Sequence, residues 1–182
     1  MRQRLMEATV ECLVELGWAG TTTTLVSERA GVSRGAQLHH FPTKHDLVVA
    51  AVDYIGEVRS EELAAADLSE AGRTRAALKL IAEQFTSTAF FAALELWVAA
   101  RTDPVLHAEL APRERRLGRE MHQWAVRLLG IDESLGRNRE LVQATLDLVR
   151  GLGLAATLSD DSKRRASILD AWAITLDAEL ER

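Results

Sequence analysis

The sequence predicts an all-α protein: an N-terminal domain of three helices, a connecting helix, and a larger C-terminal domain of antiparallel helices. Three observations carry this. Only 3 Pro and 11 Gly interrupt 182 residues rich in Ala, Leu, Glu and Arg, which favour helix. Apolar residues recur at three- and four-residue spacings over most of the chain, the period of one helix face. Residues 21–47, TTTTLVSERAGVSRGAQLHHFPTKHDL, read as two short helices around a glycine turn, closed by a Pro-Thr-Lys bend.

The first helix is expected over residues 2–16, with Leu5, Ala8, Cys12, Leu13 and Leu16 on one face and Gly17 at its end. Cys12 falls on that apolar face and reads as a small core residue. The second helix runs from about Leu25 to Ala30, behind a threonine run that supplies capping hydroxyls. Gly31 can take the left-handed conformation that ends it, Val32 plugs the turn, and Ser33 can cap the third helix, Arg34 to His40 or Phe41. Pro42 stops that helix because it lacks a backbone donor and restrains the residue before it. Lys44 to about Ala64 forms the connecting helix, with Leu47, Val48, Ala51, Tyr54, Ile55 and Val58 inward. A polar break from Asp67 to Gly72 marks the seam, giving domains at 1–47, 48–66 and 67–182. Helices then follow at about 73–86, 89–102, 104–129, 136–158 and 162–180. Asp103-Pro104 starts the third of these, and Pro112 should kink or split it.

Two helices joined by a short glycine-containing turn make a helix-turn-helix, which places its second helix in the DNA major groove. Residues 4–52 also resemble the TetR family of bacterial regulators. The matching pieces are Gly17-Trp18, the Thr21–Thr24 run, Glu28 to Ser33, Gly35, and His39-His40-Phe41-Pro42-Thr43-Lys44 ahead of Leu47. The resemblance implies a cytoplasmic homodimer whose N-terminal domain binds operator DNA and whose C-terminal domain senses a ligand. The expected function is a ligand-responsive regulator, most simply a repressor, released from a palindromic operator by a small apolar effector.

The DNA-contacting residues are expected to be Thr22, Thr23, Thr24, Arg34, Gly35, Ala36, Gln37, Leu38, His39, His40 and Lys44. Gly35 lets the backbone come close, and Arg34 can offer a bidentate fork to guanine. The threonines, His39, His40 and Lys44 suit phosphate oxygens. Gln37 can pair with adenine or lie solvated, and Leu38 can touch a thymine methyl or fill the core. Family members usually carry Leu-Tyr where this chain has Gln37-Leu38, so the Tyr contact does not transfer.

Charge does not advertise the function. The first 60 residues carry 6 Lys/Arg against 7 Asp/Glu, net −1 of the chain's −5, so any basic footprint is local. A single cysteine excludes an intrachain disulfide and suits a reducing compartment. No apolar stretch approaches the ~18 residues of a membrane span. No cofactor is expected; His39, His40 and His45 are poorly spaced for a shared metal. Nor does a catalytic constellation stand out, which leaves an enzyme, or a helical binding protein with a vestigial helix-turn-helix, as rivals.

In the C-terminal domain, Phe85, Phe90, Leu94, Trp97, Arg101, Met121, Trp124 and Arg150 are the candidate ligand-pocket residues, with plain core as the alternative. The 136–158 helix is apolar on two sides, which implies two partners: its own core and another subunit. The dimer interface is expected to draw on Val142, Val149, Gly153, Ala155 and Ala156 of this helix. Ile168, Leu169, Trp172 and Leu176 of the last helix complete it.

Overall fold

A computed structural model describes residues 1–56, 68 and 72–181 with their side chains, and 57–64 as backbone. Its helices are α1 (Arg2–Gly20), α2 (Thr23–Ala30), α3 (Arg34–His40), α4 (Lys44–Ala64) and α5 (Arg73–Gln84). They continue with α6 (Thr88–Ala100), α7 (Pro104–Leu129), α8 (Asn138–Ala155) and α9 (Ser162–Glu179). No strand occurs among the described residues, so the all-α expectation holds. Most of the expected 67–72 seam, and Val58 of the connecting helix, lie outside the described side chains.

Helix ends form where capping chemistry puts them. Thr22 Oγ1 accepts from Leu25 N at 3.2 Å to start α2, and Gly31 closes it at φ 62, ψ 40. Ser33 Oγ accepts from Ala36 N at 3.2 Å to start α3. Thr43 and Asp46 cap each other reciprocally at the start of α4: Asp46 N donates to Thr43 Oγ1 at 3.1 Å, and Thr43 N donates to Asp46 Oδ2 at 3.0 Å. Asp103 Oδ1 accepts from the backbone of Val105 and Leu106, both at 3.0 Å, and opens α7. Gly17, at φ 67, breaks α1 as expected, although helical residues resume beyond it. Pro112 does not split α7, which runs through it as one element.

The chain packs as two compact units. The first joins Met1–Glu62 to Thr88–Leu117, and the second joins Leu63–Ser87 to Gly118–Arg182. Within the first, one apolar cluster centres on Leu5, Cys12, Val26, Phe41 and Leu47. A second brings Leu13, Val48 and Val52 against Ala92, Leu96 and Leu106. This grouping differs from the seam read at 67–72, because the small residues of α6 let it lie directly on α1 and α4. Two arginines tie α7 to α4 at one carboxylate: Arg113 Nε reaches Asp53 Oδ2 at 3.2 Å, and an Arg116 nitrogen reaches Asp53 Oδ1 at 3.0 Å.

The second unit is a bundle of α5, the end of α7, α8 and α9. Its core holds Leu78, Ile81, Trp124, Leu129, Leu146 and Leu176. A Cβ added at Gly153 would fall 2.1 Å from the Phe85 carbonyl oxygen, so α8 approaches that turn too closely for any side chain. Trp172 Nε1 donates to Thr145 Oγ1 at 2.9 Å and joins α9 to α8.

Candidate nucleic-acid interface

The helix-turn-helix is built from α2, the Gly31–Ser33 turn and α3. Val26 and Ala30 face inward, and Val32 packs against the same cluster. That packing orients α3 so that Arg34, Gly35, Leu38, His39 and His40 are all exposed, with Ala36 half-buried. Leu38 is 43 % exposed, so it does not fill the core. Arg34 makes no hydrogen bond or ion pair among the described residues, so its guanidinium is available. Thr22 and Thr24 are exposed at the start of α2 and Thr23 is half-buried.

Gly35 is informative for what surrounds it. A Cβ placed there meets nothing within 4 Å. Glycine inside a helix costs about 0.5–1 kcal/mol relative to alanine, and no internal neighbour requires it here.

Gln37 corrects the sequence reading. It is fully buried, so it neither faces the groove nor lies solvated. Its Nε2 donates to the Phe41 carbonyl at 2.5 Å, while its Oε1 has no hydrogen-bond partner. Nothing in the residue type announced this. Its spacing of four from Phe41, whose ring is buried, was the available signal.

Lys44 is more enclosed than a free phosphate contact would be. Its ammonium lies 3.7 Å from the centre of the Trp18 ring and donates to the Trp18 carbonyl. Burial pushes its pKa below the ordinary lysine range. His45 is turned away from His39 and His40: its ring meets the Trp18 edge at 5.5 Å, and its Nε2 lies 3.2 Å from Asp103 Oδ2. Asp103 is held below the usual carboxylate range by the Leu106 N–H first, with a further contribution from His45. Glu95 of α6 completes the surround, accepting from Trp18 N at 3.4 Å. None of these groups except Lys44 figured in the sequence reading of the site.

Two other basic residues of this domain have neighbours within it. Arg29 is engaged by Glu15 at 2.5 Å and Glu11 at 3.8 Å. Arg2 lies 5.7 Å over the Phe41 ring. Cys12 is buried, which raises its thiol pKa and makes it an inert core residue.

The candidate pocket residues divide between the two units. In the first, Trp97 meets Phe90 edge-on at 6.0 Å, and its indole N–H is buried without a hydrogen-bond partner. Leu94 is half-buried and Arg101 exposed in that unit. In the second, Phe85 and Trp124 are buried, Met121 is half-buried, and the Arg150 guanidinium lies 5.5 Å over the Phe85 ring.

Among the expected dimer residues, Val142, Val149, Gly153 and Leu176 are buried within their own chain. Ala155, Ala156, Ile168, Leu169 and Trp172 are half-buried. Nearby on α8, just beyond it and on α9, Leu154 is 52 %, Leu158 94 % and Ile174 68 % exposed. Among the described residues, no helix is long and apolar enough to cross a membrane.

These features define a helix-turn-helix protein, and comparison with known proteins identifies the family. Residues 5–51 match the family described as bacterial regulatory proteins, tetR family. The HTH-type transcriptional regulator CymR of Pseudomonas putida is 33 % identical over 186 residues, spanning 98 % of this chain and 89 % of that protein. The chain therefore belongs to the TetR family of transcriptional regulators, which are not enzymes. A transcriptional regulator from Rhodococcus sp. RHA1 shares the fold with a TM-score of 0.82 at 22 % identity, covering 100 % of this chain and 98 % of that one. A regulator from Saccharomonospora viridis, crystallised with choline, aligns with a TM-score of 0.72 at 16 % identity, covering 100 % and 98 %.

Proposed function

We propose that this chain is a repressor that binds a two-fold operator as a homodimer and releases it when a small apolar effector binds. The carrying observation is Gly35: an unneeded glycine, open to solvent, on a capped helix that exposes Arg34, Leu38, His39 and His40 around it. That surface suits the major groove, with Arg34 reading a guanine and Leu38 against a thymine methyl. Thr22, Thr24, His39, His40 and Lys44 hold phosphates. Its place of action is the cytoplasm, with the DNA.

The exposed Leu154, Leu158 and Ile174 of the α8–α9 side supply the self-association face, together with the half-buried Ala155, Ile168 and Trp172. A two-fold protein pairs with a two-fold site, so the operator is a palindrome or near-palindrome. Within the first unit, Phe90, Leu94, Trp97 and Arg101 supply the effector contacts. The unpaired Trp97 N–H supports this reading, since a buried donor without a partner is costly and a ligand acceptor would satisfy it. Choline in the Saccharomonospora protein is a precedent for a small molecule on this fold.

Selection from a randomised duplex pool tests the proposal. A two-fold consensus, bound by a dimer, is expected; no enrichment, or binding independent of sequence, would overturn it.

A further inference from the structure

We propose that Gln37 is a positioning residue for DNA recognition: a buried amide clamp that acts through Phe41 to set where α3 ends. The proposal rests on α3 being the DNA-reading helix and goes beyond it by naming what holds that helix in register.

With only seven residues, α3 has almost no helical stability of its own, so its ends must be held by side chains. Ser33 holds the first turn. At the other end Pro42 has no N–H to offer, and α4 begins only at Lys44. The last turn is closed by one residue pair making two bonds in opposite directions. Phe41 N donates to the Gln37 carbonyl at 2.8 Å, and Gln37 Nε2 donates to the Phe41 carbonyl at 2.5 Å. The Phe41 ring is 4 % exposed, in the cluster of Leu5, Val26 and Leu47, so the clamp fastens α3 to the core.

Stability does not explain the choice of residue. Gln37 is 0 % exposed and its Oε1 is unpaired. A half-satisfied buried amide is a net burden that leucine or methionine would avoid at similar volume. What only the amide supplies is a donor for the Phe41 carbonyl. Leu38, His39 and His40 lie inside the turn it closes, and Arg34 lies one turn before it. A shift at that end would therefore reach the residues proposed to touch DNA.

The test compares wild type with Gln37→Met and Gln37→Glu on a duplex selected from a randomised pool by the wild-type protein, and on an unrelated duplex. Gln37→Met keeps the volume and removes the donor. It is expected to melt near the wild-type temperature, the carbonyl's lost donor offsetting relief of the unpaired Oε1, while binding the selected duplex at least about tenfold more weakly, with unrelated DNA unaffected. Gln37→Glu should bind weakly near neutral pH and recover on acidification, when a neutral carboxyl can donate to the Phe41 carbonyl. The ratio to wild type at each pH removes any pH dependence common to both proteins. A Gln37→Met protein with wild-type affinity and discrimination overturns the proposal, as does an affinity loss that merely follows lost stability. Should Gln37→Met not fold, acid recovery of Gln37→Glu decides, its absence being the overturning result. A wild-type protein that selects no sequence overturns this inference and the DNA-reading assignment together.

Discussion

The Lys44 ammonium sits over the face of Trp18 and also donates to the Trp18 carbonyl, so the last turn of α1 holds the first residue of α4. Two of its three N–H donors remain for a phosphate. Trp18 is itself held by Glu95 of α6 and touched by His45, which meets the Asp103 cap of α7. A cation proposed to grip DNA is thus fixed from several helices of one unit.

Lys44→Ala should weaken cognate and unrelated duplexes alike and lower the slope of log affinity against log salt by about one. The pH dependence has a definite sign. Burial lowers the Lys44 pKa, so the charge is lost at lower pH than for an exposed lysine, and binding should fall earlier as pH rises. Gel shifts across a salt and pH series check both; an unchanged slope removes Lys44 from the phosphate contacts.

Arg34→Ala should cost ~1–3 kcal/mol on the selected site and relax preference at one base pair per half-site. Repeating the selection with the variant reads this directly. An unchanged consensus and affinity would assign the base contact elsewhere.

Helix limits at the helix-turn-helix were legible because local chemistry sets them. Thr22, Gly31, Ser33 and the Asp103-Pro104 pair act within a turn of themselves, so the sequence carries the whole cause. Gln37 was not legible, since a glutamine in a seven-residue helix looks like surface until the core behind it is known. The surround of Lys44 was not legible for the same reason: Trp18 is 26 residues away, and no periodicity records that contact. The two apolar faces of α8 were both visible, but periodicity does not say which one is inward. The close approach of Gly153 to Phe85 decides it and leaves Leu154 outside.

A charge on that outward face should separate the subunits without unfolding them. Leu154→Glu and Ile174→Glu should each give monomers by light scattering and lose operator binding, with helical content retained. Dimers that persist in both variants would move the interface off this face.

Effector binding and operator binding should oppose each other by equal factors, because coupling free energy is reciprocal. Tryptophan fluorescence titrations with apolar compounds, run with and without operator DNA, measure the factor. Trp97→Phe should weaken compounds carrying a hydrogen-bond acceptor more than those without one. Affinities indifferent to the operator would make the site passive.

The most direct test of the central claim is Gly35→Ala, measured for both stability and DNA binding. The site is open, so alanine should stabilise the protein by about 0.5–1 kcal/mol through helix propensity. The same methyl group stands where the backbone must approach the groove, so affinity for the selected duplex should fall. Opposite signs in the two measurements are the expected result. A variant that is more stable and binds DNA as tightly as wild type would contradict the assignment of α3 as the reading helix.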